Sequence, residues 1–395
     1  MFHHGLTLTE SAAGARALGA VSMAVVGLVA TATTTGDAQA QADLDAAFPL
    51  NTPVLISGNV DTMAGKAGDG GTLGPVLTAI GDQATPIVVV VRVEEGADQA
   101  GTDTNVIGAT DGNSYTGLQA LLAAPTALGV KPQIIGAPGL DSQPVVEEMV
   151  SLAKKLRGFV YAGAKGADGA TPAATEAEAI TYRGNFAHRE LMVIWPDTAK
   201  SGGDNVARAL GLRAQIDEKT GWHKTLSNVP LVGVTGLEQD VHFDLTDPTT
   251  AAGLLNASEV TTMVRQNGFR FWGNRTCSDD QLWSFESRVR TSQALQDTIA
   301  EGLAWAIDKP LTPQLARDIV ETINALFRGL KAEGRIIGAE VLPIDPNINS
   351  AASLAAGRLT LDYEFTDTAP LESLTLNQRV TDRFYAQFGE QVARL

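Results

Sequence analysis

The chain has 395 residues, 44% of them hydrophobic and 19% charged, which is enough for more than one packed core and makes two domains the starting expectation. Its 45 acidic residues outweigh 29 basic ones, for a net charge of −16, and that sign excludes a general binder of nucleic acid or of anionic membranes. Cys277 is the single cysteine, so there is no intramolecular disulfide framework, and folding in a reducing cytoplasm is expected.

In chain order, Phe2–Thr9 reads as a short strand-like piece ahead of any core. Ala17–Ala30 imitates a secretory signal, with Ala38-Gln39-Ala40 placed like a cleavage site. However, Glu10 against Arg16 leaves no basic leading region. Gly19, Ser22 and Gly27 dilute the run, and it is short for a bilayer. Val21–Ala30 is therefore expected to be a buried strand. Pro86–Val93 has apolar residues on both faces and reads as a central strand. Gly117–Ala127 looks helical, and Pro132–Ala137 is a short strand broken by Pro138-Gly139. Gln143–Arg157 places Val145, Val146, Met149, Val150, Leu152, Ala153 and Leu156 at helical spacing and stops at Gly158. Phe159–Ala162 and Arg189–Trp195 follow as strands, alternating with helices over Thr175–Phe186 and Asn205–Leu212. Such alternation argues for βαβ units and a largely parallel sheet.

A layer of that kind invites a nucleotide or sugar site. Gly65–Gly74 fits neither G-x-G-x-x-G nor G-x-x-x-x-G-K-[ST]. The glycine-rich segment 163–172 sits between a strand and a helix, the context of an anion site, but its spacing fits no phosphate cradle and it reads as a surface loop. G-x-S-x-G and H-E-x-x-H do not occur. His3-His4 point to opposite faces of a strand and lack further metal ligands. His223 and Ser227 form a Ser/His pair with no acid or oxyanion feature. Cys277 beside Asp279 and Asp280 reads as a structural thiol next to a turn or helix start. No catalytic, cofactor or metal residue is assigned, and none of this describes an enzyme.

After about residue 255 the texture changes. Two short strands meet across Asn267-Gly268, and Arg265, Arg270, Arg275, Arg288 and Arg290 make a basic stretch in an acidic chain. That stretch either faces an acidic partner or is balanced by local ion pairs. Thr291–Asp308 carries Leu295, Ile299, Leu303 and Ile307 at steps of four, and Lys309-Pro310 ends it. Thr312 then caps a second helix with Pro313 at its first position and a stripe of Leu315, Ile319, Ile323, Leu326 and Leu330. Arg335–Leu342 and Arg358–Phe365 read as strands. Leu371–Leu395 alternates through Leu374, Leu376 and Val380. Neither terminus has an evident partner in its own chain, and unpaired strands of this kind complete a neighbour's sheet.

The residues then support a resemblance. Phe2-His3-His4-Gly5, Phe48-Pro49-Leu50-Asn51-Thr52-Pro53, Arg189-Glu190-Leu191-Met192-Val193-Ile194-Trp195-Pro196 and Gly268-Phe269-Arg270-Phe271-Trp272-Gly273 resemble the tail sheath proteins of contractile-tailed phages and R-type bacteriocins. So do Arg275-Thr276-Cys277-Ser278-Asp279-Asp280, Asp308-Lys309-Pro310-Leu311-Thr312 and Leu371-Glu372-Ser373-Leu374-Thr375-Leu376, in order and nearly end to end.

The resemblance implies a subunit that polymerises helically around a tail tube and contracts by rigid-body rearrangement. Its partners would be copies of itself, the tail tube protein, and the baseplate and tail terminator proteins, with no nucleic acid and no direct membrane insertion. It implies a place in the virion tail after assembly in the host cytoplasm. The expected fold is α/β plus α+β, with an outer α/β domain over residues 21–258 and a smaller tube-facing α+β domain over 259–370. Arms over 1–20 and 371–395 would supply exchanged terminal strands, through His3, His4, Leu6, Leu371, Leu374, Leu376 and Val380. The candidate tube-facing residues are Arg317, Arg328, Lys331, Arg270 and Arg275. An α/β enzyme using the 163–172 loop, and a capsid or adhesin-like shell protein, are the rival readings.

Overall fold

A computed structural model describes Leu18 and residues 22–112 and 114–394. The expected N-terminal strand, with His3, His4 and Leu6, lies outside the described residues.

A six-stranded sheet is the centre of the fold. Strand β1, Val25–Thr31, is buried along its whole length. On one side it pairs in parallel with β3, Ile87–Val93, which pairs antiparallel with the edge strand β2, Pro53–Ile56. On the other side come β4 (Ile134–Gly136), β5 (Phe159–Gly163) and β6 (Leu191–Ile194), all parallel. The order is β2-β3-β1-β4-β5-β6. Alternation along the β-branched run of β3 fills both faces of this sheet. Val89 and Val91 join the core under helix Gln143–Leu156, while Val88 and Val90 join the core under helices Leu73–Gln83 and Asp204–Lys219. Gly27, which dilutes the apolar run of β1, is a packing necessity. A Cβ there would stand 2.8 Å from the Pro132 ring carbon.

We label the helices used below α1 (Ala38–Ala47), α2 (Leu73–Gln83), α3 (Gln143–Leu156), α4 (Glu176–Arg183), α5 (Asp204–Lys219), α6 (Glu286–Gly302), α7 (Pro313–Ala332) and α8 (Phe384–Val392). The expected helix over Gly117–Ala127 is a 3₁₀ stretch, Gly117–Ala123, handing over to a short α turn, Ala124–Leu128, with Pro125 in its first turn. Helix α5 runs seven residues beyond its expected end at Leu212.

Residues 259–277 belong physically to the sheet. Thr261 accepts from the Trp195 amide and donates to the Val193 carbonyl, 2.9 Å each, so this segment extends the sheet beyond β6. The antiparallel hairpin β7 (Thr262–Arg265) and β8 (Phe269–Trp272) turns at Asn267-Gly268, whose φ values of 52° and 99° suit these two residue types. Its Met263 and Phe271 enter the same core as α2 and α5.

Beyond it, α6 and α7 pack with a two-stranded antiparallel sheet, β9 (Ile336–Val341) and β10 (Tyr363–Asp367). Ile323, Leu326, Phe327 and Leu330 of α7 bury their stripe with Ile336, Trp222 and Met23. The helix expected over Thr291–Asp308 instead starts at Glu286 and stops at Gly302, which leaves Ile307 72% exposed. Strand β10 begins at Tyr363, five residues later than expected, because 342–362 forms a connection that contains a short helix, Ala351–Ala355. Residues 368–381 form no strand, and the expected run of alternation to Leu395 gives way to α8.

Candidate assembly surfaces

Two ionic clusters, one buried and one part-buried, tie α6 to the large sheet. Glu286, fully buried, accepts from Tyr161 Oη, from Arg213 Nη1 at 3.1 Å, from Thr225 Oγ1 at 3.3 Å and from the Leu226 amide at 3.4 Å. Arg213 also donates to Asp217 at 2.7 Å, and Arg290 of α6 donates to the other oxygen of Asp217 and to the Met23 carbonyl. Burial pushes Asp217 up against the opposing pull of Arg213 and Arg290. For Arg213, burial works downward, but Asp217 and Glu286 outweigh it and the net shift is upward. In the second cluster Asp297 of α6 accepts from Lys131, Gln133 and Arg157. Two arginines against two carboxylates leave the first cluster neutral, which is how such charges are retained in a core.

The glycine-rich loop is closed on itself. The Ala170 and Thr171 amides, donors an anion would need, both point at Asp168 Oδ1 at 3.0 Å. The Ala170 amide, the Thr171 hydroxyl and the Thr171 amide hold the Asp168 carboxyl below its usual range. Lys165 Nζ is spent on buried Asp141 at 2.6 Å. Ser227 Oγ accepts from the Gly273 amide, and burial, Arg335 and Arg213 push His223 down. Cys277 is buried and its thiol is pushed up to about 12 by burial, against the pull of Arg183. Among the described residues no group of His, Cys, Asp and Glu is arranged to hold a metal, and no helix is long and apolar enough to cross a membrane.

Three arginines of the basic stretch, Arg275, Arg288 and Arg290, have acidic partners in the same chain, and Arg265 and Arg270 meet neutral groups. Arg288 bonds Asp367 at 2.7 Å, Arg290 lies in the buried cluster, and Arg265 stacks on Phe269. Arg270 donates to the Gln266 carbonyl and to Asn228. Arg275, one of the candidate tube residues, grips Glu372 through two 2.8 Å bonds and fastens the root of the C-terminal segment to the body. Arg317, Arg328 and Lys331 are exposed on α7. Arg328 reaches Glu321 at 2.6 Å, and both are more than half exposed.

Past Glu372 the chain leaves the body. Leu371, Leu374, Leu376 and Val380 are 80%, 69%, 82% and 96% exposed, and the segment ends in α8 with Phe384, Tyr385, Phe388 and Val392 also open to solvent. Sequence reasoning foresaw an unpartnered tail but missed both its helix and the Arg275 clamp. The stripe Phe384, Phe388, Val392 was the available signal for the helix.

Comparison with known proteins places these features in context. Two family profiles match, the phage tail sheath protein central domain over residues 113–277 and the phage tail sheath C-terminal domain over residues 278–381. The chain is 49% identical to the tail sheath protein of Escherichia phage P2, covering 99% of this chain and 98% of that protein. It is 42% identical to the major tail sheath protein of Serratia phage KSP20, covering 97% and 96%. In fold it is similar to the sheath of an extracellular contractile injection system (PVC) in the contracted state, with a TM-score of 0.66 at 15% identity over 97% of this chain and 99% of that one. It is also similar to the contracted helical sheath of the anti-feeding prophage, with a TM-score of 0.65 at 16% identity over 96% and 98%.

Proposed function

The chain belongs to the phage tail sheath family, and from that premise we propose that it is the repeating subunit of a contractile tail sheath, acting by assembly and not as an enzyme. The observation that carries this reading is the end-to-end match to the sheath protein of phage P2. A subunit whose contacts are heterologous and do not close into a ring builds a helical filament. A bias of a few kcal/mol per subunit between two packings, summed over many subunits, suffices to drive contraction.

The finer mechanism we propose rests on the tail and the small sheet. Sheet β9–β10 has two strands and, among the described residues, an open edge on each side. The segment with Leu371, Leu374, Leu376 and Val380 has no regular secondary structure and exposes its apolar side chains. Strand addition at an open edge satisfies both. The terminal arms, His3, His4 and Leu6 included, would thus link neighbouring subunits by strand exchange. The inner face toward the tail tube would be α7 with Arg317, Arg328 and Lys331. The large sheet, expected to end near residue 258 but continued by residues 259–277, would form the outer layer, and baseplate and terminator proteins would close the ends, with assembly in the host cytoplasm. Electron microscopy of the purified protein tests the reading. Helical tubes are expected, and discrete monomers or closed shells at all concentrations overturn it.

A further inference from the structure

The turn of the β7–β8 hairpin carries a reactive pair. Asn267-Gly268 is the one Asn-Gly dipeptide in the chain, and asparagine is among the thermally labile residues. That lability depends on the residue that follows. Its backbone nitrogen is the nucleophile, and glycine has no side chain to shield it or to restrict its rotation. Whether the reaction runs in a folded chain depends on what holds the two groups still.

The hairpin leaves them free. Both residues are exposed, with φ of 52° and 99°. Among the described residues neither the Asn267 side chain nor the Gly268 amide has a hydrogen-bond partner, and the backbone bond across the turn runs from the Gln266 amide to the Gly268 carbonyl at 2.8 Å. A Cβ at Gly268 would meet nothing within 4 Å, so a ring can close there without a clash. Two Asp-Gly pairs, which offer related chemistry, are locked by contrast. The Gly70 amide donates to the Thr33 carbonyl at 3.1 Å, and Asp69 accepts from the Thr35 amide. The Gly169 amide donates to the Gly166 carbonyl at 2.9 Å, and Asp168 accepts from the Ala170 and Thr171 amides.

We propose that Asn267 is a site of spontaneous modification, where the side-chain amide is lost by cyclisation with the Gly268 nitrogen and aspartate or isoaspartate is left in the turn. The Gly268 nitrogen gives its proton to solvent hydroxide and bonds to Asn267 Cγ. The Cγ–Nδ2 bond breaks, and ammonia leaves with a proton from water. Water then opens the resulting succinimide at either carbonyl. Breaking the bond from nitrogen to Cγ gives aspartate, and breaking the bond to the backbone carbonyl carbon gives isoaspartate. No electrons are exchanged, since an amide and a water become a carboxylate and ammonium. The new carboxylate falls between Arg265 and Arg270, which flank the turn on the two strands, so the added charge meets local cations. Isoaspartate puts an extra carbon into the backbone of a hairpin whose register pairs Met263 with Phe271 in the core.

The test follows the purified full-length chain, held above neutral pH, by peptide mass spectrometry with enzymatic methylation to mark isoaspartate. The peptide with Asn267 should convert over days to two products, each heavier by a single mass unit. The rate should rise about tenfold per pH unit, because the reacting form is an amide nitrogen far below its pKa. N267Q should stop the conversion. An unchanged Asn267 peptide, or a rate indifferent to pH, overturns the proposal. Repeating the reaction on the urea-unfolded chain separates the fold from the dipeptide. An acceleration of about tenfold or less shows that the native turn is open, and a much larger one shows that the hairpin protects it and overturns the assignment. The isoaspartyl fraction should melt below N267D, and equal melting would overturn the effect on the register.

Discussion

Glu286 has no solvent to fall back on. Its carboxylate is surrounded by Tyr161, Arg213, Thr225 and the Leu226 amide, and Arg213 is itself fully buried. Removing one member of such a group strands the others, which costs far more than the net contribution of the intact group. Glu286→Ala should therefore lower the stability of the subunit by about 3–5 kcal/mol. The exposed Arg328–Glu321 pair is its foil, since water already solvates both ends, and Arg328→Ala should change stability by about 1 kcal/mol or less. Denaturant titration of the unpolymerised subunit measures both. Equal losses would show that burial does not set the strength of these pairs.

Elements were legible from sequence where one physical signal dominated. The Ile-Val-Val-Val-Val run of β3 can only be a strand covered on both faces. Thr312, Pro313 and the Leu315-to-Leu330 stripe specify α7, and the Thr312 hydroxyl does accept the Leu315 amide at 3.1 Å. Elements were misread where charge is buried. Glu286, Arg290 and Asp297 look like a solvated face, so the first turn of α6 was invisible without the partners that neutralise them. Arg213 and Asp217 hid the end of α5 in the same way. In the assembly surfaces the apolar tail was legible, while the Arg275–Glu372 clamp joins residues 97 apart in sequence and had no local signal. In the tail the period-2 spacing of Leu374 and Leu376 masked the change to steps of four at Phe384. That change has a measurable consequence. With its apolar face open, α8 should unfold and refold readily in the free subunit, and hydrogen exchange at Phe384–Val392 should be close to that of an unstructured chain. In the polymer the same amides should be protected by about two orders of magnitude. Strong protection already present in the free subunit would mean that α8 docks on its own body.

For the whole molecule, the two segments matched by family profiles are not free to move against each other. Their shared boundary near residue 277 runs along the edge of the large sheet, where the Cys277 amide donates to the Leu191 carbonyl. Helix α6 is tied to that sheet by Glu286, Arg290 and Asp297. The Glu286–Arg213–Asp217–Arg290 group is buried and neutral, so a displacement of α6 would strand one of its ions. Freedom is concentrated past Glu372, where the described chain makes no regular structure until α8. Charge sharpens the division. Up to residue 258 there are 27 acidic and 15 basic residues, and beyond it 18 and 14, so most of the net negative charge lies in the first part of the chain. The length of the tail should therefore set the geometry of the polymer without touching the stability of the subunit. Inserting three glycine or serine residues after Glu372 adds about 10 Å of reach. The melting temperature of the free subunit should not change, whereas the helical pitch of the polymer, or its ability to contract, should change in electron micrographs. Polymers with unaltered helical parameters and normal contraction would show that the tail does not set the spacing between subunits.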